Sequence, residues 1–253
     1  MQMTTQAVVI GSRAIDDEDR LLTLLSKEYG IIHAYAKSAS RMKSRLSSTT
    51  EMLCYSSFVL FKNKERYTVD SADSINMFFG LRENMDKLSL ATYFAELTAT
   101  VAPQADGADA FLSLFLNTLF MLEKDKKTIA FLKPVFELRA LTLAGYMPNL
   151  VACRSCACYE APQMRLFLQT GDIMCENCLQ KLETPFTEDV SKPLSSGVIA
   201  AMRHIIYSPP KRLFSFDLPL DNLKILGEAT EAYLLNQTQK NYNSLQFYKS
   251  III

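Results

Sequence analysis

Residues 31–45 read Ile-Ile-His33-Ala-Tyr35-Ala-Lys37-Ser-Ala-Ser-Arg41-Met-Lys43-Ser-Arg45. In the first half Ile32, Ala34 and Ala36 alternate with His33 and Tyr35, and a period of two places one set on each face of a β-strand. The second half carries four cations, and no acidic residue occurs between Tyr29 and Thr50. Similar short runs lie on both sides: Gln-Ala-Val-Val-Ile10, Arg20-Leu-Leu-Thr-Leu-Leu-Ser26, Leu53-Cys-Tyr-Ser-Ser-Phe-Val-Leu-Phe61 and Arg66-Tyr-Thr-Val-Asp-Ser-Ala72. They are rich in β-branched and aromatic residues. Gly30 and the Lys62-Asn63-Lys64-Glu65 break look like hairpin turns. Five strands before Ile75 predict a small barrel, an architecture that often binds oligonucleotides on one face.

Beyond Ile75 the period becomes helical. Met85, Leu88, Tyr93 and Leu97 mark one helix, and Phe111, Leu114, Phe115, Thr118 and Leu119 mark the next. Pro103 to Gly107 separates them. A third helix is expected from about Lys127 to Tyr146, with Pro134 kinking it or marking a late start. Gly145 and Met147-Pro148 supply its stop. Helical pattern resumes from Pro193 to Tyr207 and from Leu220 to Asn236, punctuated by Pro209-Pro210. The expected class is α+β: a small β-barrel over 1–78, then an all-helical domain over 79–149 and 183–253. A zinc-ribbon-like module over 150–182 would be inserted between its halves.

That insertion contains Cys153-Arg-Ser-Cys156 and Cys175-Glu-Asn-Cys178. Two residues between paired cysteines make a tight turn that aims both sulfurs inward, and two such knuckles can converge on one tetrahedral ion. The β-like Met164 to Leu168 stretch with Thr170-Gly171-Asp172 resembles the hairpin of a zinc ribbon. Four thiolates leave no place for water, so one structural Zn2+ on Cys153, Cys156, Cys175 and Cys178 is expected. Cys158 offers a fifth thiol, but Cys153 reproduces the matched spacing. The alternative is a set of buried free thiols or a redox pair. Cys54 reads as an inert core residue.

Lys37, Arg41, Lys43 and Arg45 are the strongest candidates for phosphate contacts, with serines between them as hydroxyl donors. A solvated mobile loop is the plainer alternative. Lys62, Lys64 and Arg66 form a weaker cluster interrupted by Glu65. Tyr35 and Tyr67 could stack on bases or belong to the core. His33 and His204 have no nucleophile or carboxylate at motif spacing, and Asp16-Asp17-Glu18-Asp19 reads as a solvated turn. Gly11-Ser-Arg13 lacks the spacing of a phosphate loop. No catalytic group is expected, and the chain reads as a binder.

Lys plus Arg, 27, equals Asp plus Glu, 27, so any polyanion surface must come from local charge segregation. The opening residues lack the pattern of a secretory signal. The longest apolar stretch, Ala110 to Leu122, is too short to cross a bilayer. A soluble cytoplasmic protein with no membrane partner is expected, and the clustering of cysteines suits reducing conditions.

Several of these stretches resemble the bacterial recombination-mediator family RecO. They are Asp19-Arg-Leu-Leu-Thr-Leu-Leu-Ser-Lys-Glu-Tyr-Gly-Ile-Ile32, Ala36-Lys37 through Lys43-Ser-Arg-Leu46, Phe136-Glu-Leu-Arg-Ala-Leu-Thr-Leu-Ala-Gly-Tyr146-Met-Pro148, and Lys192-Pro-Leu-Ser195. Together they cover nearly the whole chain in order. The resemblance implies that the barrel is an OB-fold and that a zinc module lies between helices. It also implies DNA repair by binding single- and double-stranded DNA and annealing complementary strands. Members help load the recombinase RecA onto DNA coated with single-strand-binding protein, with RecR and the C-terminal tail of single-strand-binding protein as partners, in the bacterial cytoplasm at the nucleoid. The resemblance places no residues at the tail pocket. Not all members keep the cysteines, and some are far more basic than this chain. A different class of reading is a zinc-ribbon adaptor that binds proteins without annealing DNA.

Overall fold

The computed structural model describes residues 1–41, 43–64, 66–104, 107–181 and 190–251. Five strands, β1 (Gln2–Ala14), β2 (Arg20–Ser26), β3 (Gly30–Ala36), β4 (Tyr55–Asn63) and β5 (Arg66–Asn76), close a barrel in the order β1-β2-β3-β5-β4. Alternation selects its interior: Leu22, Leu24, Ile32, Ala34, Ala36, Phe58 and Leu60 form the core, while His33 faces out. Closure needs one parallel pairing, β3 with β5, which sets Ala34 beside Tyr67 and Tyr35 beside Thr68. All the other barrel pairs are antiparallel. β1 runs well past the expected Gln6 to Ile10, with a bulge between Val9 and Gly11 that lets one long strand pair on both sides. A short helix, α1 (Leu46–Thr49), lies between β3 and β4.

The helices follow as α2 (Met85–Val101), α3 (Asp109–Glu123) and α4 (Ile129–Leu143). Asn84 caps α2 by accepting the Lys87 N–H at 3.0 Å. Thr128 caps α4, so that helix starts before Pro134 and runs through it. α4 ends as its sequence suggests. Gly145 sits at φ +89, with Tyr146 N–H donating to the Leu141 carbonyl at 2.9 Å and Gly145 N–H to that of Thr142 at 3.2 Å.

The chain divides into two compact units, Met1–Lys126 with Tyr242–Ile253, and Lys127–Asn241. In the first, α2 and α3 accompany the barrel, and a C-terminal helix that the pattern did not predict, α8 (Asn243–Ile251), packs on α2. Tyr242 meets Tyr93 edge-on at 6.0 Å, and Ser244 N–H donates to Glu96 at 2.9 Å. The second unit joins α4, α6 (Ser196–Tyr207) and α7 (Leu220–Thr238) to a sheet of β6 (Asn149–Cys153), β8 (Asp172–Cys175), β7 (Gln163–Phe167) and β9 (Ser191–Ser195), in that order. The short helix α5 (Glu176–Leu179) follows β8. The helices expected as one domain are thus shared between two bodies. The expected end of the cysteine module at residue 182 lies outside the described residues.

The helix expected from Pro193 starts only at Ser196, and Pro193 lies in the strand β9. It pairs with β7 instead, Arg165 opposite Pro193, at the edge of the sheet. An edge strand tolerates a residue with no N–H, and Ser195 then caps α6 by accepting the Val198 N–H at 3.3 Å. Inside this unit Lys133 bridges Glu137 at 2.8 Å and Glu231 at 2.9 Å, and Thr230 donates to Glu137 at 2.8 Å. Among the described residues no helix is long and apolar enough to cross a membrane.

Candidate nucleic-acid interface and cysteine cluster

β6 delivers Cys153 at its last residue and β8 delivers Cys175 at its own. The turn after β6 brings in Cys156 and the short helix α5 brings in Cys178, and all four sulfurs lie within 4.8 Å of one another. The Cys156–Cys175 pair is 3.7 Å apart, close to the roughly 3.8 Å edge of a tetrahedron with metal–sulfur bonds of about 2.3 Å. Backbone groups support the cluster. Cys175 N–H points at the Cys153 sulfur at 3.4 Å, and Cys153 N–H donates to the Cys158 carbonyl at 2.9 Å across a turn with Ala157 at φ +58. Burial opposes ionisation of Cys153, yet the N–H groups of Cys156, Cys175 and Ser155 bring its thiol down to about 6. The Ser155 hydroxyl favours the Cys178 thiolate, but the thiols of Cys156 and Cys175 outweigh it and push that group up to about 11. Ionising all four crowds negative charge that a cation relieves. The donor set therefore fits one metal ion. Cys158 is outside this mutually close set, although its thiol interacts with those of Cys156 and Cys175.

α6 braces the cluster. Arg203 donates to the carbonyls of Leu150 at 2.8 Å, Val151 at 3.1 Å and Tyr159 at 2.8 Å, and its guanidinium lies 3.9 Å from the Tyr159 ring centre. From α7, Gln237 donates to the Leu168 carbonyl at 2.7 Å. Cys54 is buried in the barrel unit, where burial pushes its thiol up.

On the barrel, Leu21, His33, Tyr35, Lys37, Arg66, Tyr67 and Thr68 line a groove of about 530 Å³. The parallel β3–β5 pairing creates it, because it lays the end of β3 beside the start of β5. Tyr35 is half-buried and donates its hydroxyl to Asp19, a hydrogen bond that raises the phenol to about 12. Tyr67 lines the groove while also packing against the barrel core, with the Lys62 ammonium 5.2 Å from its ring centre. Lys37, Arg41, Lys43 and Arg45 are all exposed. Only Lys37 of the four lines the groove; Arg41 pairs with Glu18, and Lys43 and Arg45 continue toward α1.

Asp16 to Asp19 form a turn between β1 and β2, as expected, but not a merely solvated one. Asp16 accepts the N–H groups of Glu18 at 2.9 Å and Asp19 at 2.7 Å. Asp19 accepts the Ser38 N–H at 2.7 Å, the Glu18 carbonyl accepts the Ser40 N–H at 2.8 Å, and Arg20 donates to the Ser40 hydroxyl at 3.1 Å. The acidic turn thus holds the basic loop. Arg66, from the weaker basic cluster, and His33, which has no partner at motif spacing, both line the groove. Alternation did mark His33 as outward-facing. Arg66 carries no such signal, since its neighbours are set by a strand pairing between segments far apart in the chain. Glu65 lies outside the described residues.

Residues 1–78 match the family model for the recombination protein O N terminal, and residues 82–246 match that for the recombination protein O C terminal. The DNA repair protein RecO of Acetivibrio thermocellus is 34% identical over 250 residues, which cover 98% of this chain and 97% of the relative. That of Alkaliphilus metalliredigens is 31% identical over 70% of this chain and 72% of its own. That of Desulforudis audaxviator is 25% identical over 99% and 97%.

Proposed function

Since the chain belongs to the RecO family of DNA repair proteins, we propose that it binds single- and double-stranded DNA on the barrel and anneals complementary strands without covalent chemistry. It helps load RecA onto DNA coated with single-strand-binding protein, acting with RecR and the C-terminal tail of single-strand-binding protein, in the cytoplasm at the nucleoid. The observation that carries the barrel reading is the groove that joins Tyr35 and Tyr67 to Lys37 and Arg66. Bases stack on an aromatic face with little regard to sequence, while cations beside it take phosphates and release counterions. That combination suits a protein that must hold any strand and let it pair.

Arg41, Lys43 and Arg45 extend the phosphate path from the groove along the exposed loop. Charge is segregated there in a chain with as many acidic as basic side chains, so attraction is local and salt-sensitive. Zinc is the metal for Cys153, Cys156, Cys175 and Cys178, where it supplies a fixed tetrahedral cross-link. The site has no part in chemistry on DNA.

Annealing of two labelled complementary strands, followed by fluorescence quenching, tests the reading. The chain should accelerate pairing, and Lys37→Ala with Arg66→Ala should remove most of the acceleration while leaving the melting temperature unchanged. No acceleration by the intact chain would favour the protein-binding zinc-ribbon adaptor instead. Metal analysis of protein purified under reducing conditions without chelator should find about one zinc per chain, as a closed four-thiolate site requires.

A further inference from the structure

The β1–β2 turn is the most acidic segment of the barrel unit, and it is packed against the most basic one. Two of its carboxylates are used differently. Glu18 pairs with the Arg41 guanidinium, and both side chains remain about half exposed, at 47% and 58%. Among the described residues Asp19 makes no ion pair; its two oxygens accept the Tyr35 hydroxyl and the Ser38 N–H, and Lys37 and Arg41 act on it only through space. These two donors, the hydroxyl first, outweigh the effect of burial and, with a smaller contribution from the charges of Lys37 and Arg41, hold its carboxyl below the usual range.

We propose that this turn regulates strand entry: Glu18 occupies Arg41 in the free protein and yields it to an incoming phosphate, while Asp19 positions the basic loop and Tyr35 to receive the strand. This rests on the reading of the groove and loop as the DNA site. A carboxylate and a phosphate offer a guanidinium the same pair of acceptor oxygens, so either can occupy it. An exposed ion pair is worth little, and a displaced Glu18 returns to water at small cost. Asp19 makes no direct ion pair to give up, its oxygens being taken by the Tyr35 hydroxyl and the Ser38 N–H, so an incoming phosphate has no contact there to displace. Its oxygens tie the first residue after Lys37 and the groove tyrosine to one point, and both keep their places when the strand arrives. The consequence runs against the usual expectation for an acidic residue beside a DNA site. One carboxylate weakens binding and its sequence neighbour strengthens it.

Anisotropy of a labelled single-stranded oligothymidylate, titrated over a range of salt, tests both halves. Glu18→Gln should tighten binding about fivefold at about 0.1 M salt with little change in the salt slope, since Arg41 meets a phosphate in both chains. Losing that contact in Arg41→Gln should flatten the slope by about 0.7. Arg41→Gln should weaken binding, and Glu18→Gln should then add nothing in the Arg41→Gln background. Tightening that persists in that background would reduce Glu18 to a general charge effect and overturn its role. Unchanged binding by Glu18→Gln beside a clear loss in Arg41→Gln would overturn it too. If Arg41→Gln, Lys37→Ala and Arg66→Ala all bind like the parent chain, the DNA site itself lies elsewhere.

Asp19→Asn should weaken binding several-fold and bring the Tyr35 phenol back toward its ordinary value, read by absorbance near the phenolate band. Asp19→Glu should restore part of both. Should Asp19→Asn fail to fold, Tyr35→Phe breaks the same hydrogen bond from the other side. Full affinity in a folded Asp19→Asn chain, or in Tyr35→Phe if only that variant folds, would overturn the positioning role.

Discussion

Tyr35 shows how one side chain reports on its surroundings. Its hydroxyl donates to Asp19 and its phenol is raised to about 12. A group whose folded value lies above its unfolded value of 10.0 stabilises the fold fully below pH 10 and loses that contribution as pH rises through 12. Absorbance titration should therefore show Tyr35 among the late-ionising tyrosines, and Tyr35→Phe should reduce their number by one. Gly171 makes a different kind of demand. It turns the β7–β8 hairpin at φ +75, and a Cβ there would stand 2.7 Å from the Tyr233 hydroxyl and 3.3 Å from Pro148 Cα. Gly145 has a similar φ of +89 but open space around it. Gly145→Ala should cost about 1–2 kcal/mol for backbone conformation alone, and Gly171→Ala should cost more because contact is added. Urea denaturation of the two variants provides the comparison. Both glycines were legible as turn residues in sequence; the crowding at Gly171 was not, since Tyr233 comes from α7.

At the scale of elements, α4 and α7 are joined through a charge network with no counterpart in the sequence pattern. Lys133 and Glu137 are one helical turn apart, and Glu231 enters from α7. Glu137 is fully buried, at 0% exposure. Burial disfavours the Lys133 ammonium, but the two carboxylates outweigh it and raise the group above 10.5. The contribution is therefore present below pH 10.5 and fades only above it. Glu137→Ala would remove a partner from buried charge and should cost about 3–5 kcal/mol, whereas replacing all three residues with apolar ones of similar size should cost far less. Denaturant midpoints separate these outcomes. The cysteine sheet shows the reverse case. Paired knuckles were readable because metal geometry constrains spacing along the chain, but β9 was not, because a proline strand at a sheet edge and the first turn of a helix look alike in sequence.

For the whole molecule, the two compact units have different sources of stability: a closed barrel with α2, α3 and α8 in one, and a small sheet with its cysteine cluster among helices in the other. Removing the proposed metal with a strong chelator should raise amide exchange at Met164, Ile173 and Cys175 while leaving Leu22 and Leu24 protected. Exchange that rises equally in both units would contradict a local structural role for the ion. The sequence by itself determined the five-strand barrel, the helical remainder, the four-cysteine set and the basic loop. Each rests on periodicity or spacing within a short stretch, which local sterics and ligand geometry dictate. Tertiary structure alone decided that Arg66 joins Tyr35 in one groove, that Glu18 and Asp19 hold the basic loop, and that the helices are shared between two bodies. Those facts depend on pairing between segments distant in the chain, where register and packing, not local preference, choose the partner.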